Sequence, residues 1–227
     1  MKLVKPSIRL INPPNQEQVY NTMEYAGRTC YQSEPKGDPE TFLRGIIKRN
    51  HMTILEHEKV TFEVTCDRGV SHELVRHRMA TYSQERTRYC NYGKGEHVQF
   101  ILPSWIEKGE GEYVPWLEGW GDDPDCDPFV SGSPESQWFW AQAYSERTYL
   151  KLLSLGWTPQ QARSVLTNSL KTTVVCTMNF RELRHFVSLR YFGATGAPHP
   201  DMKVVAENLF YQLSTRYPVL FEDLLVK

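Results

Sequence analysis

The sequence predicts a mixed α/β fold (α/β or α+β) in one domain, and three observations carry that expectation. Val60, Phe62 and Val64 alternate against polar neighbours over 59–65, as in a strand with one buried face. Residues 171–178 are β-branched and read as a buried strand. Asp38-Pro39, Ser133-Pro134 and Thr158-Pro159 each place a capping side chain before a proline, which suits the first helical position. Strands and helices are mixed along a chain with no repeat, linker or low-complexity segment.

Taken in order, residues 7–12 alternate weakly and read as an edge strand, stopped by Pro13-Pro14. Asn15 caps a helix to about Thr29, with Val19, Met23 and Ala26 on one face. Asp38 starts a second helix through Phe42, Ile46 and Ile47, ending near Asn50. The strand at 59–65 follows, and Ser71 is expected to cap a helix from His72 into Arg76-His77-Arg78. Residues 97–102 read as a strand ended by Pro103. Residues 104–133 shift to Gly, Pro, Asp, Glu and Trp with little periodicity, an irregular acidic insertion suited to a subunit interface. Ser133 starts the longest helix, stopped by Gly156, and Thr158 starts the next, expected to carry Arg163. After the strand at 171–178, Asn179 caps a helix with Leu183, Phe186, Val187 and Arg190 on one side and Arg181, His185 and Ser188 on another. A last helix runs from Asp201 to about Tyr217, with Val204, Val205, Leu209 and Leu213 apolar.

Composition narrows the function classes. At 227 residues the chain can bury a full core. Its 26 basic and 27 acidic residues leave a net charge of −1, so any anion binding must be local, not global. Cys30, Cys66, Cys90, Cys126 and Cys176 are odd in number and form no Cys-x-x-Cys, which speaks against a disulfide framework or a cysteine zinc site. With no signal-peptide core and no apolar run of transmembrane length, a cytoplasmic protein without a membrane partner is expected.

The chemistry gathers between Glu73 and Tyr89. Arg76, His77, Arg78, Arg86 and Arg88 are interleaved with Tyr82, Tyr89 and the hydroxyls of Thr81, Ser83 and Thr87. Forked guanidinium donors suit planar oxyanions, so the stretch reads as an anion site for nucleotide phosphates. A second cluster, His51 to His57 with Thr53 and Glu56, lacks His-Glu-x-x-His and fits no standard zinc spacing; no metal is expected.

These residues resemble the flavin-dependent thymidylate synthase family. The resemblance rests on Arg76-His77-Arg78 followed by Ser83, Gln84, Glu85, Arg88 and Tyr89, and on the blocks at 51–57 and 163–190, all in family order. It implies a compact mixed domain, helices around a twisted mixed sheet, assembled as a homotetramer with FAD where subunits meet. It implies reductive methylation of dUMP to dTMP, with NADPH and 5,10-methylenetetrahydrofolate as cosubstrates. By the same match Thr53, Glu56, Arg76, His77, Arg78, Ser83, Gln84, Asn179, Arg181 and His185 would meet the flavin. Glu73, Arg76, Gln84, Glu85, Arg86, Thr87, Arg88, Arg163 and Arg190 would meet the nucleotide. His51 would stand on the folate and reductant side, and Arg190 would stabilise charge on the pyrimidine. None of the cysteines lies at a family nucleophile position, in keeping with a mechanism without a cysteine adduct.

One position departs from the family: the serine that closes the motif is Arg86 here. Either its guanidinium turns outward onto a phosphate or Glu85, or it enters the pyrimidine site. The expectation is retained flavin chemistry with weakened or altered nucleotide use. The alternatives are C5 one-carbon transfer to another pyrimidine nucleotide such as UMP, and a nucleic-acid-binding protein without flavin, which would bind in a strongly salt-dependent way.

Overall fold

The computed structural model describes residues 1–88, 92, 98–113 and 132–226. In chain order the elements are β1 (Lys2–Val4), β2 (Ser7–Ile11), α1 (Gln16–Thr29), α2 (Pro39–Lys48), β3 (Lys59–Asp67), α3 (Arg68–Leu74), β4 (Ala80–Gln84), β5 (Gln99–Ile101), β6 (Gly111–Glu112), α4 (Pro134–Ser154), α5 (Pro159–Ala162), β7 (Lys171–Asn179), α6 (Phe180–Arg190) and α7 (Pro200–Arg216). Short 3₁₀ segments lie at Met52–Glu56, Arg163–Val165, Pro218–Leu220 and Glu222–Val226. The class is mixed α/β, as expected. The chain divides into two compact units, each built from three separated segments.

One unit comprises Met1–Pro6, Thr65–His72 and Gln84–Thr173. Its three-stranded sheet runs β5-β1-β6, with β1 parallel to β5 and antiparallel to β6. Leu3 and Phe100 face each other in register and join Phe139, Tyr149 and Leu170 in a fully buried cluster. Neither β1 nor β6 was expected, because two or three residues carry no readable periodicity. The strand expected at 97–102 is β5, and His97 lies outside the described residues, as do 114–131 of the expected insertion.

The other unit comprises Ser7–Val64, Glu73–Ser83 and Val174–Lys227. It holds most of a four-stranded sheet in the order β2-β3-β7-β4. The alternation in β3 buries Val60, Phe62 and Val64, and β7 buries Val174 and Met178 on the same period. α1 packs on α2, and α6 packs on α7 and on the 3₁₀ segment Met52–Glu56. Phe180 meets Tyr217 edge to face at 4.9 Å, which fixes α6 against the C-terminal segment. Caps expected from sequence are present: Asn15, Asp38 and Asn179 each accept a backbone N–H of the first turn.

Two local expectations need correction, and one strand was not expected. The helix expected from Ser71 into Arg78 is α3, which starts earlier and ends at Leu74. Asp67 supplies the cap, accepting from Val70 N at 2.6 Å, while Ser71 sits inside the helix and donates to Arg68 O. A carboxylate three residues upstream outcompetes a hydroxyl within the helix. Arg76 and His77 follow in a turn, bonded to the carbonyls of Glu73 and Leu74, so helical spacing does not set where Arg76 and Arg78 point. Residues 80–84, for which the sequence predicts no element, form β4 with Ala80, Tyr82 and Gln84 half-buried. The helix begun at Thr158 closes as a single turn, and Arg163 opens the 3₁₀ segment after it.

Candidate active site

A connected chain of polar side chains crosses the unit that contains α6. Glu182 Oε1 lies 2.9 Å from His77 Nδ1, Arg190 Nε donates to His77 Nε2 at 3.2 Å, and Arg190 Nη1 donates to Glu73 Oε2 at 2.8 Å. Three local features build it. Asn179 Oδ1 caps α6 on the Glu182 N–H at 2.8 Å, placing the Glu182 side chain in the first turn. The turn after α3 presents His77, whose ring packs edge-on against Phe186 at 4.9 Å. Tyr82 of β4 bonds the carbonyls of Leu74 and His77, at 2.9 and 2.6 Å, and so ties that turn down.

The pattern assigns the protons. A guanidinium only donates, so His77 Nε2 is an acceptor, and the ring proton is on Nδ1, directed at Glu182. His77 is 5 % exposed, and burial lowers its proton affinity below the ordinary imidazole range. The Glu182 carboxylate opposes that shift, while Arg190 and His185 reinforce it. The imidazole is therefore neutral.

Beside this chain is an open pocket of about 410 Å³ lined by Glu56, Met79, Asn179, Arg181, Glu182 and His185. Arg181 Nη1 reaches Glu56 Oε1 at 2.5 Å across its rim. Met79 is 64 % exposed, an apolar side chain presented among charges. Arg76, Arg78, His51, Thr53 and Ser83 are exposed on the same unit. A larger cavity of about 830 Å³, at the N-termini of α1 and α2, holds none of the motif residues.

His77, Glu182 and His185 bring three ligand-type atoms within 4.8 Å of one another. Both His77 nitrogens are already engaged, and the Arg190 cation adjoins one of them. A metal ion would have to displace those bonds next to a fixed positive charge.

The remaining motif residues belong to the other unit. Gln84 donates to Ser71 and Thr172, at 3.0 and 3.2 Å. Glu85 takes Lys171 at 2.9 Å and the Tyr92 hydroxyl at 3.1 Å, and its N–H bonds Thr173 O. Arg163 donates to the buried Thr87 hydroxyl at 3.0 Å. These contacts hold the loop backbone, while Arg86 and Arg88 are exposed. Tyr89 lies outside the described residues.

Sequence reasoning missed Glu182, Lys171 and Thr172. Glu182 did carry a signal, an acid three residues after the capping Asn179, but that spacing reads as a helix start. Its partner lies 105 residues away.

Comparison with known proteins bears on all of this. The model of a family described as thymidylate synthase complementing protein matches residues 11–219. Proteins named flavin-dependent thymidylate synthase from Mycobacteroides abscessus and Mycobacterium tuberculosis are 31% and 32% identical, each match covering 88% of this chain and 78% of the relative. The crystal structure of a UMP/dUMP methylase PolB from Streptomyces cacaoi, bound with 5-Br dUMP, shares the fold. Its TM-score is 0.73 at 23% identity, over 98% of this chain and 96% of that one. With a family model spanning nearly its whole length, and curated relatives above 30% identity, this chain belongs to the flavin-dependent thymidylate synthase family.

Proposed function

We propose that this chain makes dTMP by reductive methylation of dUMP at C5, acting in the cytoplasm as a homotetramer. In the balanced reaction dUMP, 5,10-methylenetetrahydrofolate, NADPH and a proton become dTMP, tetrahydrofolate and NADP⁺. The chemistry that bound FAD supplies is hydride transfer, drawn from NADPH and spent on completing the methyl group.

The observation that carries this reading is the anchored Arg190. Negative charge develops on the pyrimidine carbonyls as C5 becomes nucleophilic, and a cation already held in place stabilises it without reorganising. His77 and Glu73 occupy two of the Arg190 donors. The rest of the guanidinium retains N–H groups for a substrate oxygen.

The residues around the pocket fit a flavin dinucleotide. Arg78 and Arg181 are exposed guanidinia of the kind that hold phosphate, and Met79 offers an apolar surface to a ring. Thr53, Glu56, Asn179 and His185 would complete its contacts, and His51 would stand on the folate and reductant side. Arg163 and Arg88 are the cations assigned to the nucleotide.

A second reading, methylation of UMP, has one observation in its favour: Arg86 stands where the family has serine. Its exposure supports an outward guanidinium and an intact pyrimidine site.

Purified protein is expected to be yellow and to release FAD on denaturation; colourless protein with salt-sensitive binding to nucleic acid would favour the alternative class instead. Arg190→Ala is expected to abolish dTMP formation while flavin reduction by NADPH continues, because its charge serves the pyrimidine. Near-normal methylation in that variant would remove Arg190 from the role.

A further inference from the structure

We propose that Glu182 is a positioning residue: it fixes the proton of His77 on Nδ1, so that Nε2 stays an acceptor and holds Arg190 in orientation. The inference rests on the reading of Arg190 given above and extends it to a residue outside the family motif. The geometry comes from four groups in one unit. Glu182 is 8 % exposed, and His77 is more buried still. An ionised carboxylate only accepts, so the 2.9 Å contact with His77 Nδ1 requires the proton to be there. That leaves a lone pair on Nε2, 3.2 Å from the Arg190 Nε–H. With the proton on Nε2 instead, two N–H groups would oppose each other and Arg190 would lose that bond. Glu73 alone would then restrain the guanidinium, leaving it free to swing about one contact.

Bland roles explain the burial less well. The cap of α6 is made by the Asn179 side chain on the Glu182 backbone, which any residue at this position would provide. Packing alone would favour an apolar side chain, because a buried carboxylate carries a desolvation cost that its partner must offset. The same logic, a carboxylate selecting one imidazole tautomer, accounts for the acid member of hydrolase triads.

The test compares Glu182→Gln, Glu182→Asp and Arg190→Ala in flavin-loaded enzyme, with ¹⁵N NMR of labelled histidine and steady-state kinetics. The parent is expected to show neutral His77 protonated on Nδ1. Glutamine matches glutamate in size but can donate as well as accept, so Glu182→Gln should give mixed tautomers and a kcat about 10- to 100-fold lower. Aspartate is a methylene shorter yet acceptor-only, so Glu182→Asp should keep the Nδ1 proton and retain more turnover than the glutamine variant. A packing role gives the opposite order, glutamine above aspartate, and that order would overturn the proposal. So would a parental His77 protonated on Nε2, or full kcat in Glu182→Gln beside a dead Arg190→Ala. If Arg190→Ala itself keeps turnover, the role given to Arg190 falls on its own, and the His77 spectrum still decides the tautomer.

Discussion

His77 is neutral in the folded protein because burial lowers its affinity for a proton, against the pull of Glu182. The unfolded chain takes up that proton near the ordinary imidazole value of about 6.5, the folded chain only at lower pH. Between those two values the unfolded state binds more protons, so stability must fall as pH drops through the window. Above it both states are neutral at this position and the contribution is flat. Thermal midpoints measured from about pH 8 to pH 5 should therefore decline more steeply for the parent than for His77→Gln. Equal slopes would mean that His77 does not set the acid limb. Arg86 gives the second prediction at this scale. If its exposed guanidinium points away from the pyrimidine, Arg86→Ser should leave dUMP affinity and dTMP formation near parental, with UMP as competitor gaining nothing. A sharp gain in dUMP use by the serine variant would place the arginine in the site.

Neither the sheet strand β3 nor the site-bearing helix α6 depends on the site for its own stability. β3 is held by apolar alternation: Phe62 is fully buried on its inward face, while Lys59 at its start is exposed. Truncating a buried phenylalanine removes its transfer energy and leaves a cavity, so Phe62→Ala should cost about 3–5 kcal/mol in urea unfolding. Lys59→Ala should stay within about 0.5 kcal/mol. A small effect at Phe62 would mean that the sheet is not what the unit folds around. α6 is held by its cap, by Phe180 against Tyr217, and by Leu183, Phe186 and Val187, all buried. That rigidity is what makes the positions of Glu182 and Arg190, at opposite ends of one helix, useful to His77.

At the scale of the whole molecule, both compact units are discontinuous in sequence, and the division falls inside β3, β4 and β7. No cut in the chain can therefore release one of them intact. β7 lies between β3 and β4 in the sheet. A fragment ending at Thr173 would lack most of β7 with α6 and α7, leaving β3 and β4 without their shared neighbour. That fragment is expected to show no cooperative melt and no near-ultraviolet circular dichroism of fixed aromatics. A cooperative transition in it would mean that the first unit folds alone. Among the described residues no helix is long and apolar enough to cross a membrane.

The sequence by itself determined what short-range physics controls. Caps at Asn15, Asp38, Ser133 and Asn179 could be read because a side chain two or three residues away satisfies the first-turn N–H groups. The strands β3 and β7 could be read because a buried face repeats every second residue. The motif arginines could be proposed as anion ligands from their chemistry alone. Only the tertiary structure decided pairings between distant segments. β1 is a strand because Leu3 meets Phe100, and β4 is one because β7 lies beside it. Glu182 passes from helix-capping acid to partner of a buried histidine because the fold brings His77 to it across 105 residues. Such contacts depend on where the chain returns, and no local pattern encodes the return.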